Sequence, residues 1–178
     1  CNYGLKVAII DRLWHDSALD MSSAVAQNIT QPALTRHTDG AGVELWLECH
    51  AAWGATPVTA TVVYTNQAGE AGQDAVLTTS ATSAAGLMQR FRLSTGDTGV
   101  VSVQSFKLTG TTGATGNGGL VLCKRLASIG LAADVPRDLE WAALRFPEIE
   151  DNACLCFIFA TTAAETGGLD LDLLKVAG

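Results

Sequence analysis

Few side chains in this chain could act as a general base or nucleophile near neutral pH. Its 178 residues include three histidines, His15, His37 and His50, and imidazole is the commonest proton-transfer group in enzymes. A serine hydrolase sets a histidine beside its nucleophile, which often lies on a G-x-S-x-G turn. No such turn occurs, and Ser94 and Ser105 have no histidine near them in sequence. The sequence therefore predicts no catalytic residues and a protein that is not an enzyme.

The cysteines have no metal-binding or disulfide-framework spacing. There are five of them, Cys1, Cys49, Cys123, Cys154 and Cys156. None forms a C-x-x-C pair or a zinc spacing with histidine, although Cys154 and Cys156 would share one face of a strand. An odd count in a chain with few cysteines favours buried free thiols and assembly in a reducing cytosol.

Two acidic groups offer the oxygen ligands that Ca²⁺ prefers. Glu148, Glu150 and Asp151 lie close together, and Asp170 and Asp172 would share a strand face. Neither group has the spacing of an EF-hand loop. The acidic surface of the whole chain explains both groups as well, so the predicted metal content is none.

The segment Gly116-Asn117-Gly118-Gly119 resembles a phosphate-binding loop only in its glycines. It lacks the Lys-Ser/Thr that follows in a P-loop and the helix whose N-terminus would bind the anion. We expect a flexible hairpin tip at residues 110–119 and no cofactor.

Composition and charge exclude further classes of protein. The 18 acidic and 11 basic residues leave a formal net charge of −7, whereas binding to a nucleic-acid backbone depends on clustered Lys and Arg. No uncharged apolar run reaches the roughly 18 residues that a membrane-spanning helix needs. Only 16% of residues are charged and 6% are aromatic. We therefore expect a surface of small uncharged side chains, no nucleic-acid partner and no membrane partner.

The elements that would position any site are predominantly strands. In Val43 to His50, Val43, Leu45, Leu47 and Cys49 alternate with Glu44, Trp46, Glu48 and His50, so one face is core and the other is wet or at a contact. The predicted strands cover 4–14, 43–50, 58–65, 75–79, 87–93, 100–109, 120–127, 153–160 and 169–176.

Two of the predicted elements carry further expectations. Ala153 to Ala160 is apolar on both faces, which is typical of a central strand or of one covered by a second layer. One short helix is predicted from Arg137 to Arg145, because Pro136 suits a first helical position and Pro147 ends the pattern.

About eight or nine short strands with one short helix predict an all-β fold, a single β-sandwich or jelly roll. We divide the chain into an N-terminal strand or arm with an irregular segment, residues 1–38, and a jelly-roll-like domain, residues 39–178.

Three segments in the middle of the chain resemble small virion structural proteins of tailed bacteriophages. They are YTNQAGEAG from Tyr64, GDTGVVSVQSFKLTG from Gly96 and LVLCKRLASI from Leu120. The resemblance is to head proteins of the decoration or cement type. It implies a β-sandwich or jelly roll on the outer surface of the capsid that locks neighbouring capsomers together, often as a trimer. It supplies no defined site residue.

The resemblance implies the major capsid protein as partner, self-association as a homotrimer, assembly in the host cytoplasm and a final location on the virion. An acidic protein suits the outside of a DNA-filled shell. The residues that we predict for subunit or capsid contacts are Leu5, Val7, Ile9, Ile10, Leu13, Trp14, Trp46, Trp53, Phe157 and Phe159.

Two alternatives stay open. A tail protein or a head-fibre or base protein of the same virion would show similar strands. A carbohydrate-binding β-sandwich would stack a tryptophan on a sugar ring, and Trp46, on the polar face of its strand, is the best candidate for that contact.

Overall fold

The computed structural model describes residues 5–81, 83–131 and 149–160. Within them the chain forms ten strands and no helix, which confirms the all-β prediction. The predicted helix at 137–145 and the predicted last strand at 169–176 lie outside the described residues. The strands are β1 Leu5–His15, β2 Leu19–Asp20, β3 Gln27–Asn28, β4 Val43–Ala51, β5 Thr59–Asn66, β6 Gln73–Thr78, β7 Met88–Arg90, β8 Val100–Leu108, β9 Asn117–Leu131 and β10 Leu155–Ala160.

The strands form two sheets in which every described pairing is antiparallel. The first sheet has the order β10-β1-β9-β4-β7, and β2 also pairs with β9. The second sheet has the order β3-β8-β5-β6. Most neighbours are distant in sequence, so the fold depends on long-range pairing.

Alternating side chains place one side of each sheet on a common core. In β5, Ala60, Val62, Tyr64 and Asn66 are buried, while the residues between them are half-buried. In β4 the predicted inward set is confirmed, since all four of its residues are buried in the same cluster. Removing this apolar surface from water is the main term that stabilises the fold. The largest fully buried side chains of the shared cluster are Tyr64, Phe106, Leu19, Met21, Leu45, Leu47, Leu108, Leu120 and Leu122.

Residues 5–38 contribute to the same sheets and core. Strand β1 lies between β9 and β10 and pairs with both. The irregular segment after it buries Leu19, Met21 and Leu34 in the shared cluster. These residues are therefore integrated with the described part of residues 39–178.

The predicted hairpin tip is shorter than expected, because β9 already begins at Asn117. Gly118 and Gly119 are buried, and they pair with Cys49 and Glu48 of β4. A Cβ at Gly119 would lie 1.9 Å from the carbonyl oxygen of Asp16. These glycines are thus strand residues that permit close backbone contact.

Strand β10 occupies the end of the first sheet as far as the described residues extend, so within them it is not a central strand, and its cover by a second layer stays a prediction. It pairs with β1 over six residues without a register shift. Its apolar character arises because both faces continue apolar rows of β1, as Val7 pairs with Phe159 and Ile10 with Cys156.

A candidate protein-contact face

The first sheet has a second apolar cluster on the side that faces away from the shared core. We call this side the outer face. Its cluster contains Ala8, Ile10, Trp46, Val121 and Cys123, with Met88, Cys156 and Ile158 packed against it. These residues come from all five strands of the ordered sheet. The apolar cluster therefore extends across the whole ordered sheet and is not confined to the side of β4 that carries polar residues.

Glu44 joins three strands at one end of the outer face. Its carboxylate accepts hydrogen bonds from Nε and Nη2 of Arg125 at 3.2 and 3.1 Å and from the indole Nε1 of Trp46 at 3.0 Å. Arg90 of β7 approaches the same carboxylate at 3.4 Å. Glu44 is 9% exposed, and a buried carboxylate is stable only when such donors surround it.

A second ion pair lies further along β4. Nη2 of Arg12 donates to Oε2 of Glu48 at 2.6 Å, and Nε2 of His50 lies 3.4 Å from the same oxygen. The ring contact contributes charge attraction only when His50 is protonated. Both β4 glutamates are thus held in fixed positions by arginines from other strands of the first sheet.

The outer face contains several residue types that are enriched at protein interfaces. Such interfaces are enriched in Trp, Met and Arg and depleted in Lys. The outer face as described has Trp46 and Met88 with three arginines, Arg12, Arg90 and Arg125, and it also carries the exposed Lys6, two residues before Ala8 on β1. Its centre is buried, while Arg90 at the rim has a side chain that is 55% exposed. A partner would meet pre-positioned guanidinium groups, because the apolar centre beneath them is at most 9% exposed.

The outer face of the second sheet differs in character. Its exposed side carries Thr61, Val63 and Thr65 of β5, with Ser105 and Lys107 of β8 paired across from the first two. These side chains are small or flexible and lie outside the core. This Thr/Ser face matches the small-residue surface predicted from composition.

Cys123 lies beneath the arginines of the outer face and has no exposed surface. Burial, with a smaller contribution from the charge of Glu44, raises the pKa of the Cys123 thiol to about 12, although Arg125, Arg90 and Arg12 oppose the shift. The native thiol is therefore protonated and shielded, and it is a poor nucleophile.

This raised pKa predicts a pH-dependent contribution to stability. The unfolded thiol has a pKa of 9.0, so the unfolded state loses its proton first and gains stability above pH 9. The contribution of Cys123 is full below pH 9 and is lost as the pH rises towards 12. Between pH 8 and pH 10, the free energy of unfolding of the natural chain should fall by about 1 kcal/mol more than that of Cys123→Ala. Urea unfolding at both pH values measures this, and parallel curves would contradict it.

The residues predicted to contact other subunits lie in three different settings. Ile10 and Trp46 belong to the outer face. Trp53 is buried in the shared core, where its indole Nε1 donates to the carbonyl oxygen of Ser80 at 3.3 Å. Leu13 and Trp14 pack partly against that core. Contact with another subunit stays a prediction for these residues.

The remaining predicted contacts lie at the β1–β10 edge of the first sheet. Val7 and Ile9 are buried, and Leu5 is the first residue of β1. Phe157 is half-buried and Phe159 is 53% exposed, with 6.4 Å between the two ring centres. Among those of the ten predicted residues whose burial the structure describes, Phe159 is the most exposed.

Sequence reasoning missed the arginines of the outer face. The alternation in β4 places Glu44 and Glu48 on the side of the strand that faces away from the core. A carboxylate that becomes buried there requires hydrogen-bond donors, so this pattern was a signal to look for arginines. The partners of the two glutamates, Arg12, Arg90 and Arg125, lie on three other strands, so no local spacing linked them.

Two further features concern chemistry, namely the distribution of metal-ligating side chains and a surface cavity. In the described residues, no three His, Cys, Asp or Glu side chains lie together as a metal site would require. A shallow cavity of about 490 Å³ lies beside β7 and is lined by Arg90, Arg92 and Asp97 among others.

No helix in the described part of the chain is long and apolar enough to cross a membrane.

Comparison with known proteins yields no relative for this chain. No protein-family model matches it, and neither a curated protein nor a solved structure does.

Proposed function

We propose that this protein is a non-enzymatic structural component of a tailed-phage virion, a decoration or cement protein that binds the outside of the head. The observation that carries the proposal is the outer face of the first sheet. It presents Arg90 and Arg125 over a buried Trp46, held in place by Glu44. Such a face suits contact with another protein surface.

The strand order supports a jelly roll, a fold that occurs in viral capsid and lectin domains. Apart from the short β2 and the added β10, the chain pairs in a nested pattern. The first strand pairs with the last, β1 with β9, and then β3 pairs with β8, β4 with β7 and β5 with β6. Two sheets of four strands result. Because one fold serves many functions, this order supports the proposal without deciding it.

Pre-positioned charges explain how the outer face would act as an adhesive surface. Ordering a long side chain on binding costs about 0.5–1.5 kcal/mol. Arg12 and Arg125 are already held by Glu48 and Glu44, so little of that cost would arise on contact with the major capsid protein. Repetition of modest contacts over a lattice would then stabilise the shell without any single tight site.

The alternatives receive different support. Trp46 is 9% exposed and donates its indole N–H to Glu44, so its ring is not presented for stacking on a sugar. A tail, head-fibre or base protein of the same virion could use the same outer face. The two placements are separated by whether the protein copurifies with heads or with tails.

Charge reversal at Arg125 tests the assignment of the outer face. Arg125→Glu removes two donors from the buried Glu44 carboxylate and should lower the free energy of unfolding, so a circular dichroism spectrum like that of the natural chain must first show that the variant is folded. The folded variant should weaken binding to empty heads of the phage that encodes the chain by tenfold or more, as reversed charges do in an interface. Cosedimentation with those heads gives the affinity. Lys107→Glu, on the outer face of the second sheet, is the matched control and should bind normally.

The proposal as a whole has its own criteria. The purified chain should form trimers in native-mass measurements or bind empty heads, and particles lacking it should rupture at a lower temperature. Absence of both trimers and head binding would rule the proposal out. Loss of binding in Lys107→Glu alone would instead move the contact to the second sheet and overturn the assignment of the outer face.

A further inference from the structure

The two cysteines at the start of β10 differ from the other described cysteines. All four described cysteines, Cys49, Cys123, Cys154 and Cys156, are free thiols. Cys49 and Cys123 are fully buried, whereas Cys154 is exposed and Cys156 is half-buried. Among the described cysteines, the C-x-C pair is therefore the one that a reagent in water can reach.

The backbone brings the two thiols onto one side of the chain. Residues two apart on a strand point to the same face, and Cys156 packs against the apolar cluster of the outer face. The two side chains also interact. Burial is the main cause of the raised pKa of Cys156, and the charge and the hydrogen bonding of Cys154 raise it further. A dithiol is thus assembled at the edge of the sheet.

The backbone of Cys154 is held by neighbours on β1. Its N–H donates to Oδ1 of Asp11 at 2.9 Å, and its carbonyl oxygen accepts the N–H of Arg12 at 2.8 Å. The side chain of Cys154 therefore projects from a fixed point, one residue before β10 begins.

We propose that Cys154 and Cys156 form a reversible thiol–disulfide exchange site that reacts with small disulfides such as oxidised glutathione. The thiolate of Cys154 attacks one sulfur of the reagent, which forms a mixed disulfide and releases one glutathione thiolate. Cys156 then loses its proton to water, and its thiolate attacks the sulfur of Cys154 and releases the second glutathione. The two cysteines together lose two electrons and two protons, and these convert one glutathione disulfide into two glutathione thiols.

The spacing predicts that the internal disulfide is strained. Two strand residues advance the chain by about 6.4–6.8 Å, which is at the upper end of the Cα separations of about 4.4–6.8 Å that disulfides span. Closing the bond must therefore contract the backbone at residues 154–156. Strained, exposed disulfides are the readily reduced ones, so a mild thiol should reopen this one. The contraction should also loosen the Arg12–Cys154 hydrogen bond that attaches the start of β10 to β1.

Intact-mass analysis of the full chain tests the exchange. A Cys1→Ser background confines the readout to the four described cysteines. After treatment of the reduced protein with oxidised glutathione, we expect loss of two hydrogens, no retained glutathione, and a Cys154–Cys156 link in peptide mapping. Cys156→Ser should retain one glutathione, on Cys154. Cys154→Ser should take up glutathione at least tenfold more slowly.

Three results would overturn the proposal. One is a chain with Cys156 intact that keeps glutathione on Cys154, and another is modification of the buried Cys49 or Cys123 at the rate of Cys154. The third is an amide hydrogen at Arg12 that exchanges equally fast in the oxidised and reduced chains, since the link would then leave β10 undisturbed. These readouts do not depend on binding to a phage head, so they are independent of the proposed function.

Discussion

Arg36→Met should lower the free energy of unfolding by about 3–5 kcal/mol, because it leaves a buried carboxylate without its cation. Nε and Nη2 of Arg36 donate to both oxygens of Asp11 at 2.8 and 2.7 Å. The Asp11 side chain is 2% exposed and that of Arg36 is 10% exposed. Of the described donors, the backbone N–H of Cys154 alone would still donate to the carboxylate. Urea unfolding measures the loss.

Two further variants separate the buried charge from a general effect of removing an arginine. Arg92→Met should cost little, because the exposed Arg92 side chain makes no ion pair with a described residue. The double variant Asp11→Leu with Arg36→Met should be more stable than Arg36→Met alone, since neither charge is then buried unpaired. If Arg36→Met unfolds at the same urea concentration as Arg92→Met, then Asp11 does not need its ion pair with Arg36.

Gly119→Ala should destabilise the protein by about 3 kcal/mol, through overpacking against a rigid backbone. The added Cβ would lie 1.9 Å from the carbonyl oxygen of Asp16 and 2.6 Å from Cε1 of His50. A side-chain atom can move aside, but Asp16 is held in place because its N–H donates to the carbonyl oxygen of Leu120 at 2.9 Å. Thermal and urea unfolding should both show the loss.

Gly130→Ala is the matched control on the same strand. No atom lies within 4 Å of the position its Cβ would take, and glycine inside a strand is about 0.5–1 kcal/mol less favourable than alanine. We therefore expect Gly130→Ala to leave stability unchanged or slightly higher. Equal losses in the two variants would mean that β9 does not approach Asp16 as closely as the structure has it.

The interior of the fold could be predicted wherever a strand alternates strictly. In β4 and β5 the apolar residues recur every second position, and this local period is enough to assign a core face. The same reasoning placed Glu44 and Glu48 on the opposite side of β4. It gave Trp46 that side too, yet Trp46 is buried there, because the outer face has an apolar cluster of its own.

Patterns of composition misled where neighbours distant in sequence set the environment. The glycines of residues 116–119 have the composition of a flexible loop, but Gly118 and Gly119 are buried in β9, because β4 and Asp16 approach their backbone. The uncharged β10 was expected at the centre of a sheet or beneath a second layer. It lies at the end of the described sheet, where its apolar residues extend rows that β1 begins.

Local pattern was sufficient for the all-β class, for most strands and for the core face of β4, because side-chain alternation is a property of neighbouring residues. The partners of the buried charges needed the folded chain. Arg36 is 25 residues from Asp11, and Arg125 is 81 residues from Glu44. Strand register across such separations decides which side chains meet, and burial then makes each meeting energetically important. The tertiary structure alone could therefore show that the outer face of the first sheet is a set of paired charges around an apolar centre.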